Sequence, residues 1–208
     1  MWEAETDELC RRSPRFAALV GAVGPCTLKP RRMAGGFFGA LARSILYQQL
    51  AGRAAETIHG RFLALCDGRP TPENVLALPV EDLRGAGLSG AKAASIRDLA
   101  ERCMSGDIRL PGIGRLSDGE IVAELSRVRG IGRWTAEMFL MFQLARPDVW
   151  PTGDLGVRKG FALIHDLPSM PEPKDLELLG DPYRPYRTVM AWYCWRAVEG
   201  VSPPPQGW

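Results

Sequence analysis

The chain has 208 residues, 46% of them hydrophobic, which is enough to bury a substantial core in one domain or in two lobes sharing a cleft. Five cysteines (Cys10, Cys26, Cys66, Cys103 and Cys194) stand at long, irregular intervals, which excludes the close spacing of a zinc site or an iron–sulfur cluster and fits reduced thiols inside a cell. The net charge of +2 does not by itself announce nucleic acid; no apolar run approaches the roughly 20 residues of a membrane span, and the acidic start Met1–Glu8 lacks the basic region of a secretion signal, so a soluble, unexported protein is expected.

Among the basic residues only Lys29, Lys92, Lys159 and Lys174 are lysines. The arginine bias suits bidentate phosphate contacts, although a GC-rich genome would produce it too.

In chain order, Phe38, Leu41, Ile45 and Leu46 recur at helical spacing, as do Ile58, Phe62, Leu63 and Leu65. Gly52 punctuates the join, so two helices meet near Gln49–Gly52. Thr71-Pro72 is an N-cap followed by proline at the first helical position, opening a short helix through Val75, Leu76 and Leu78 to Pro79. A further helix starts after Ser89, carries Ala93, Ile96, Leu99 and Ala100 on one face, and stops near Gly106.

Ser117-Asp118-Gly119-Glu120 has capping-box spacing, and Ile121, Val122 and Leu125 supply the apolar face of the helix behind it. The next helix, from Arg133 to Phe142, is apolar on most sides and must lie deep. Beyond Pro147 the chain should turn, restart as a helix near Asp154, and finish with a long amphipathic helix from about Pro185 to Glu199, before a loose proline-rich tail, Ser202–Trp208. Strict apolar alternation is missing, and the β-like fragment Val149-Trp150 is too short for a sheet, so the fold class is all-α.

Between the capped helix and the core helix lies Val128-Arg129-Gly130-Ile131-Gly132-Arg133-Trp134-Thr135-Ala136, a tight turn flanked by glycines. Such a turn lets amide N–H groups at the start of the second helix point at a phosphate, binding a nucleic-acid backbone without reading its bases. Taken alone, it is equally a sharp connection. Some twenty residues on, Pro151-Thr152-Gly153-Asp154-Leu155-Gly156-Val157-Arg158 places an aspartate at a helix start, where it either caps the helix or does chemistry.

The hairpin, this aspartate, Leu41–Leu50 and Leu83–Ser89 leading to Lys92 together resemble the helix-hairpin-helix DNA glycosylase superfamily over roughly residues 35 to 198. The resemblance implies a two-lobed helical bundle with its active site between the lobes. Residues of about 36–110 would form one lobe and 111–165 would carry the hairpin and the aspartate, while about 1–35 and 166–200 complete the other lobe. Bifunctional members carry a lysine in the hairpin to form a Schiff base with the sugar; here that position is Trp134. The chain is therefore similar to the monofunctional 3-methyladenine DNA glycosylase II branch, in a compact form whose first 35 or so residues are too few for a β-rich N-terminal domain. Cys194 stands alone where endonuclease III-like relatives carry a four-cysteine cluster, so no iron–sulfur cofactor is expected.

What the resemblance implies for single residues is specific. Asp154 would be the catalytic carboxylate, stabilising an oxocarbenium-like sugar or orienting water. Gln49 or Leu50 would be the wedge that fills the gap left by a flipped base. Trp134 and Tyr186 match aromatic base-pocket positions, and Met138 stands where some relatives have a pocket tyrosine. Gly130, Gly132, Arg133, Thr135 and Arg158 would contact the DNA backbone. Backbone carbonyls of Ser126, Val128 and Ile131 match those that hold a Na+ or K+ ion in the family's hairpins. His59 and His165 each lack a partner at metal-ligand spacing. The expected protein is a monomer acting on damaged double-stranded DNA, in a bacterial cytoplasm at the nucleoid or in a eukaryotic nucleus, and releasing alkylated purines such as 3-methyladenine and 7-methylguanine. Two alternatives stay open: a glycosylase for neutral lesions such as uracil or an oxidised purine, and a non-catalytic helix-hairpin-helix anchor on DNA.

Overall fold

A computed structural model describes residues 1–50 and 52–198. Among them all regular structure is helical: α1 (Glu3–Arg12), α2 (Pro14–Val23), α3 (Gly36–Tyr47), α4 (Gly52–Leu65), α5 (Pro72–Ala77), α6 (Val80–Gly85), α7 (Gly90–Ser105), α8 (Asp118–Leu125), α9 (Arg133–Phe142), α10 (Leu155–His165), α11 (Pro173–Leu179) and α12 (Arg187–Ala197). None of these is long and apolar enough to cross a membrane. The described residues divide into two compact units, one made of 1–30 with 140–198, the other of 31–139. The hairpin belongs to the second of these units and Asp154 to the first.

In the unit of residues 31–139, α7 is the central strut, packed against α3, α5 and α6. Its ends are set locally. Ser89 Oγ accepts the Lys92 N–H at the start, and Gly106 adopts a left-handed conformation at the finish. The expected caps of α5 and α8 form as well, the latter as a complete capping box between Ser117 and Glu120. α3 is buried along Phe38–Ala42 and Ser44–Tyr47, so its apolar run is a core element.

The other unit is built around α10 and α12. The last helix departs from expectation. α12 begins at Arg187 and is buried from Arg187 through Trp195, on every side, so it is a core helix and not an amphipathic one. The sequence mixes Arg187, Thr188 and Cys194 among its apolar residues, which mimics a polar face. Arg187 and Thr188 are paired inside the fold: Arg187 donates two bonds to the Asp148 carboxylate at 2.8 and 3.0 Å, and Thr188 Oγ1 donates to the Arg146 carbonyl at 2.6 Å while accepting the Val149 N–H at 2.9 Å. These bonds fix residues 146–149 as an ordered, strandless connection. Glu199 and the tail Ser202–Trp208 lie outside the described residues.

α1 and α2 close the unit. Phe16 sets its ring edge-on to Tyr193 at 4.9 Å, Tyr193 donates to the Gly24 carbonyl at 2.9 Å, and Trp2 donates its indole N–H to the Leu28 carbonyl at 2.7 Å. The loop that follows α2 is thereby held by two buried aromatic donors.

Candidate active site

Close approach of α10 and α12 begins with two glycines one turn apart. A Cβ on Gly160 would collide with the backbone of Cys194, and one on Gly156 would lie 2.8 Å from Trp195 Cδ1. Bare backbone at both positions lets α12 press onto α10 and brings the Trp195 side chain to the first turn of α10. There its indole N–H donates to Asp154 Oδ1 at 2.9 Å, inside the protein.

Asp154 is the N-cap of α10, and the same Oδ1 accepts the Val157 N–H at 2.8 Å. Asp154 is 8% exposed. Two donors of fixed origin, a helix amide and an indole, converge on one oxygen and set the orientation of the carboxylate. Capping and chemistry are thus compatible roles for one side chain. Phe142 stacks on Trp195 with ring centroids 5.9 Å apart, which fixes the indole. Beside it, burial and the Asp154 charge push the Cys194 thiol well above its ordinary value, so it stays protonated and is no nucleophile. Neither Trp195 nor Gly156 is singled out by the sequence pattern as a site residue; the small-residue spacing Gly156…Gly160 is the signal that could have found them.

Other expected residues of this unit behave differently from one another. Tyr186 is the N-cap residue of α12, half-buried, with the Arg12 guanidinium 5.9 Å from its ring centroid. Arg12 in turn donates to the Arg184 carbonyl at 2.7 Å. Arg158, expected at a phosphate, is engaged within its own unit instead. Its Nε donates to the Pro171 carbonyl at 2.8 Å, its Nη2 pairs with Glu172 at 3.1 Å, and only 14% of the side chain is exposed. It ties the 171–172 segment to α10.

In the unit of residues 31–139, the hairpin is held from α7. Gly130 has φ +78°, and a Cβ there would lie 2.8 Å from Ser95 Oγ, so glycine is required both for the turn and for the approach of α7. One turn further along α7, Asp98 accepts the Arg129 N–H at 2.7 Å and pairs with Arg102 at 3.1 Å. Gly132 is exposed, with open space where a side chain would be. Arg133 is exposed and pairs with Glu137 at 2.8 Å, whereas Thr135 is buried. Trp134 is half-buried at the start of α9. Met138, expected in the base pocket, has no exposed surface at all. It is a core residue of α9 in this conformation.

Residues Ser126 through Gly132 line one shallow hollow together with Asp98 and Arg102. Ser126, Val128 and Ile131 therefore share a concave surface with a carboxylate beside it, and the Val128 carbonyl already accepts the Ile131 N–H at 3.0 Å, which keeps the loop tight. Groups of three or more His, Cys, Asp or Glu placed to hold a metal do not occur among the described residues.

The wedge candidates sit where α3 ends. Gln49 is exposed with φ +57°, a left-handed conformation rare for glutamine, and Leu50 is half-buried.

A glycine hairpin between α8 and α9 and a buried carboxylate capping α10 are the two features that the sequence pattern of a helix-hairpin-helix protein called for. The chain belongs to the HhH-GPD superfamily of base excision DNA repair proteins, whose family model matches residues 42–185. Among its relatives, DNA-3-methyladenine glycosylase 1 of Schizosaccharomyces pombe is 38% identical over 76% of this chain and 71% of its own length. An alkylbase DNA glycosidase-like protein of the same yeast is 34% identical over 88% of this chain and 87% of its own. Two solved structures agree with the fold. The S. pombe 3-methyladenine DNA glycosylase in complex with abasic DNA superposes with a TM-score of 0.76 at 36% identity, over 89% of this chain and 91% of that one. The Bacillus halodurans DNA-3-methyladenine glycosidase gives 0.85 at 31% identity, over 95% and 90%.

Proposed function

We propose that the protein is a monofunctional DNA glycosylase that flips alkylated purines of the 3-methyladenine and 7-methylguanine type out of duplex DNA and releases them hydrolytically, leaving an abasic site. The observation that carries this reading is Asp154, fixed through Oδ1 by Val157 N and Trp195 Nε1 at the start of α10. A pure DNA anchor has no use for a carboxylate so carefully held, since it repels a phosphate backbone.

The chemistry asks little of the leaving group. Alkylation on the ring makes the base cationic, so when the bond from C1′ to the ring nitrogen breaks, its electron pair neutralises the base as it departs. The sugar is left oxocarbenium-like, and the Asp154 charge stabilises it until water adds at C1′ and gives up a proton. Trp134 and Tyr186 are assigned to attract the cationic base through their ring faces. Met138 is assigned no contact.

A lyase would need an amine at the sugar. The hairpin offers Trp134 instead, and Lys92, whose amine burial holds below lysine's ordinary value, is engaged at 2.7 Å by each of two backbone carbonyls, of Leu46 and Gln48. DNA backbone contacts are assigned to the amides around Gly130, Gly132 and Thr135 and to the exposed Arg133, with Na+ or K+ at the Ser126, Val128 and Ile131 carbonyls between hairpin and phosphate.

The test incubates purified protein with methylated duplex DNA and identifies the released bases. Wild type releases 3-methyladenine and 7-methylguanine; Asp154→Asn, which keeps an N-cap, loses about a hundredfold or more in rate. Equal rates overturn the catalytic assignment, and a borohydride-trapped adduct overturns the monofunctional one. Duplex affinity that is the same in potassium chloride and in tetramethylammonium chloride overturns the cation assignment.

A further inference from the structure

The end of α3, the middle of α7 and the hairpin meet in one hydrogen-bonded assembly. Lys92 Nζ donates to the carbonyls of Leu46 and Gln48, both at 2.7 Å, capping the C-terminal end of α3 with a positive charge where helix carbonyls lack partners. Gln48 then leaves the helix, and its side-chain amide crosses to donate to the Gly130 carbonyl at 2.9 Å. Gly130 in turn rests against Ser95, and Asp98 holds the next amide back, at Arg129. Lys92, Ser95 and Asp98 are thus three points on one side of α7, the first fixing the turn of Gln48–Leu50 and the others fixing the hairpin.

A side chain that enters a base stack must be held by its backbone, because the stack pushes back. Gln49 adopts a left-handed conformation between Gln48, which bears these bonds, and Leu50, whose N–H reaches the Tyr47 carbonyl at a long 3.4 Å. The turn's own backbone bond is weak, so the bonds from Lys92 and Gln48 carry its geometry.

We infer that Lys92 and Gln48 are positioning residues that lock the wedge turn to the hairpin, so that gripping the backbone and filling the gap in the stack occur as one rigid act. This rests on the reading of Gln49 or Leu50 as the wedge. Neither Lys92 nor Gln48 needs to touch the base. Their loss leaves the hairpin's backbone grip in place and lets the wedge turn wander.

The readout is therefore the ratio of affinities for a duplex bearing a tetrahydrofuran abasic analogue and for the same duplex intact. Gln48→Leu lowers that ratio by about three- to tenfold, the effect of one hydrogen bond, and Lys92→Met, which removes two, lowers it by at least as much, with intact-duplex affinity unchanged. Gln49→Ala and Leu50→Ala are measured beside them. If a wedge variant loses discrimination while Lys92→Met and Gln48→Leu, folded by circular dichroism, keep the wild-type ratio, the positioning role is overturned and the wedge reading stands. If neither wedge variant changes the ratio, the wedge reading falls and the inference with it. Should Lys92→Met fail to fold, Gln48→Leu decides alone, since its side-chain bond lies outside any helix.

Discussion

The Trp195 indole N–H lies 2.9 Å from Asp154 Oδ1, a buried bond across 41 residues of sequence that orients the carboxylate to which the catalysis is assigned. Trp195→Phe keeps most of the ring that stacks on Phe142 and removes the donor alone. Single-turnover base release should fall about tenfold to a hundredfold, as for loss of a hydrogen bond to a charged group of roughly 1.5–3 kcal/mol. Affinity for abasic duplex should stay within about twofold. An unchanged rate would show that the Val157 amide suffices to orient the carboxylate.

Gly156 and Gly160 make that bond possible in different ways, and substitution separates them. Gly160→Ala drives a methyl into the Cys194 backbone, which cannot swing aside, so the fold should lose about 2–4 kcal/mol by denaturant melting. Gly156→Ala meets the Trp195 ring instead, a side chain able to shift, so its main effect should be on the rate of base release, with a smaller loss of stability. The reverse ranking would mean that α12, not the indole, yields.

At the hairpin, Gly130→Ala faces two penalties. An alanine at φ +78° is strained by about 1–2 kcal/mol, and its methyl meets Ser95 Oγ at 2.8 Å. Weaker DNA binding and a lower melting temperature are expected. The double variant Gly130→Ala/Ser95→Gly should recover the part due to contact and leave the part due to backbone strain. Complete recovery would show that the left-handed turn is not required.

Two histidines predict a pH response of one sign. His59 is pushed below the ordinary histidine value by burial and then by Arg43, and His165 by burial and then by Arg15, with Asp166 opposing. Because the folded protein resists protonation at both, their stabilising contribution is complete above the unfolded histidine value of about 6.5. It is lost as pH falls through that value and on through the lower folded values. The melting temperature should drop between pH 7 and pH 5, less steeply in a His165→Gln variant, where the Tyr183 hydroxyl keeps a polar neighbour in place of the ring nitrogen at 2.9 Å. Equal slopes would remove His165 from the account.

Caps and turns were legible because their signals are local. Thr71, Ser89, Ser117 and Gly106 each bond or bend within a few residues of themselves, so the sequence alone determined where α5, α7 and α8 start and where α7 stops. The hairpin and Asp154 were legible as an ordered pair at a set separation, and Trp134 in place of a lysine narrowed the chemistry. Misreadings came where polarity was taken for exposure. The last helix was expected to be amphipathic, yet its Arg187 and Thr188 are buried, and their partners, Asp148 and Arg146, lie some 40 residues away and are met only in the folded chain. Likewise the partners of the Arg158 guanidinium, Pro171 and Glu172, are met only in the folded chain. A charge's partner is a tertiary fact. For the same reason nothing in the pattern of the last helix marked Trp195 as the residue that holds the Asp154 carboxylate; that contact exists only because two glycines let one helix approach another closely enough for an indole N–H to reach it.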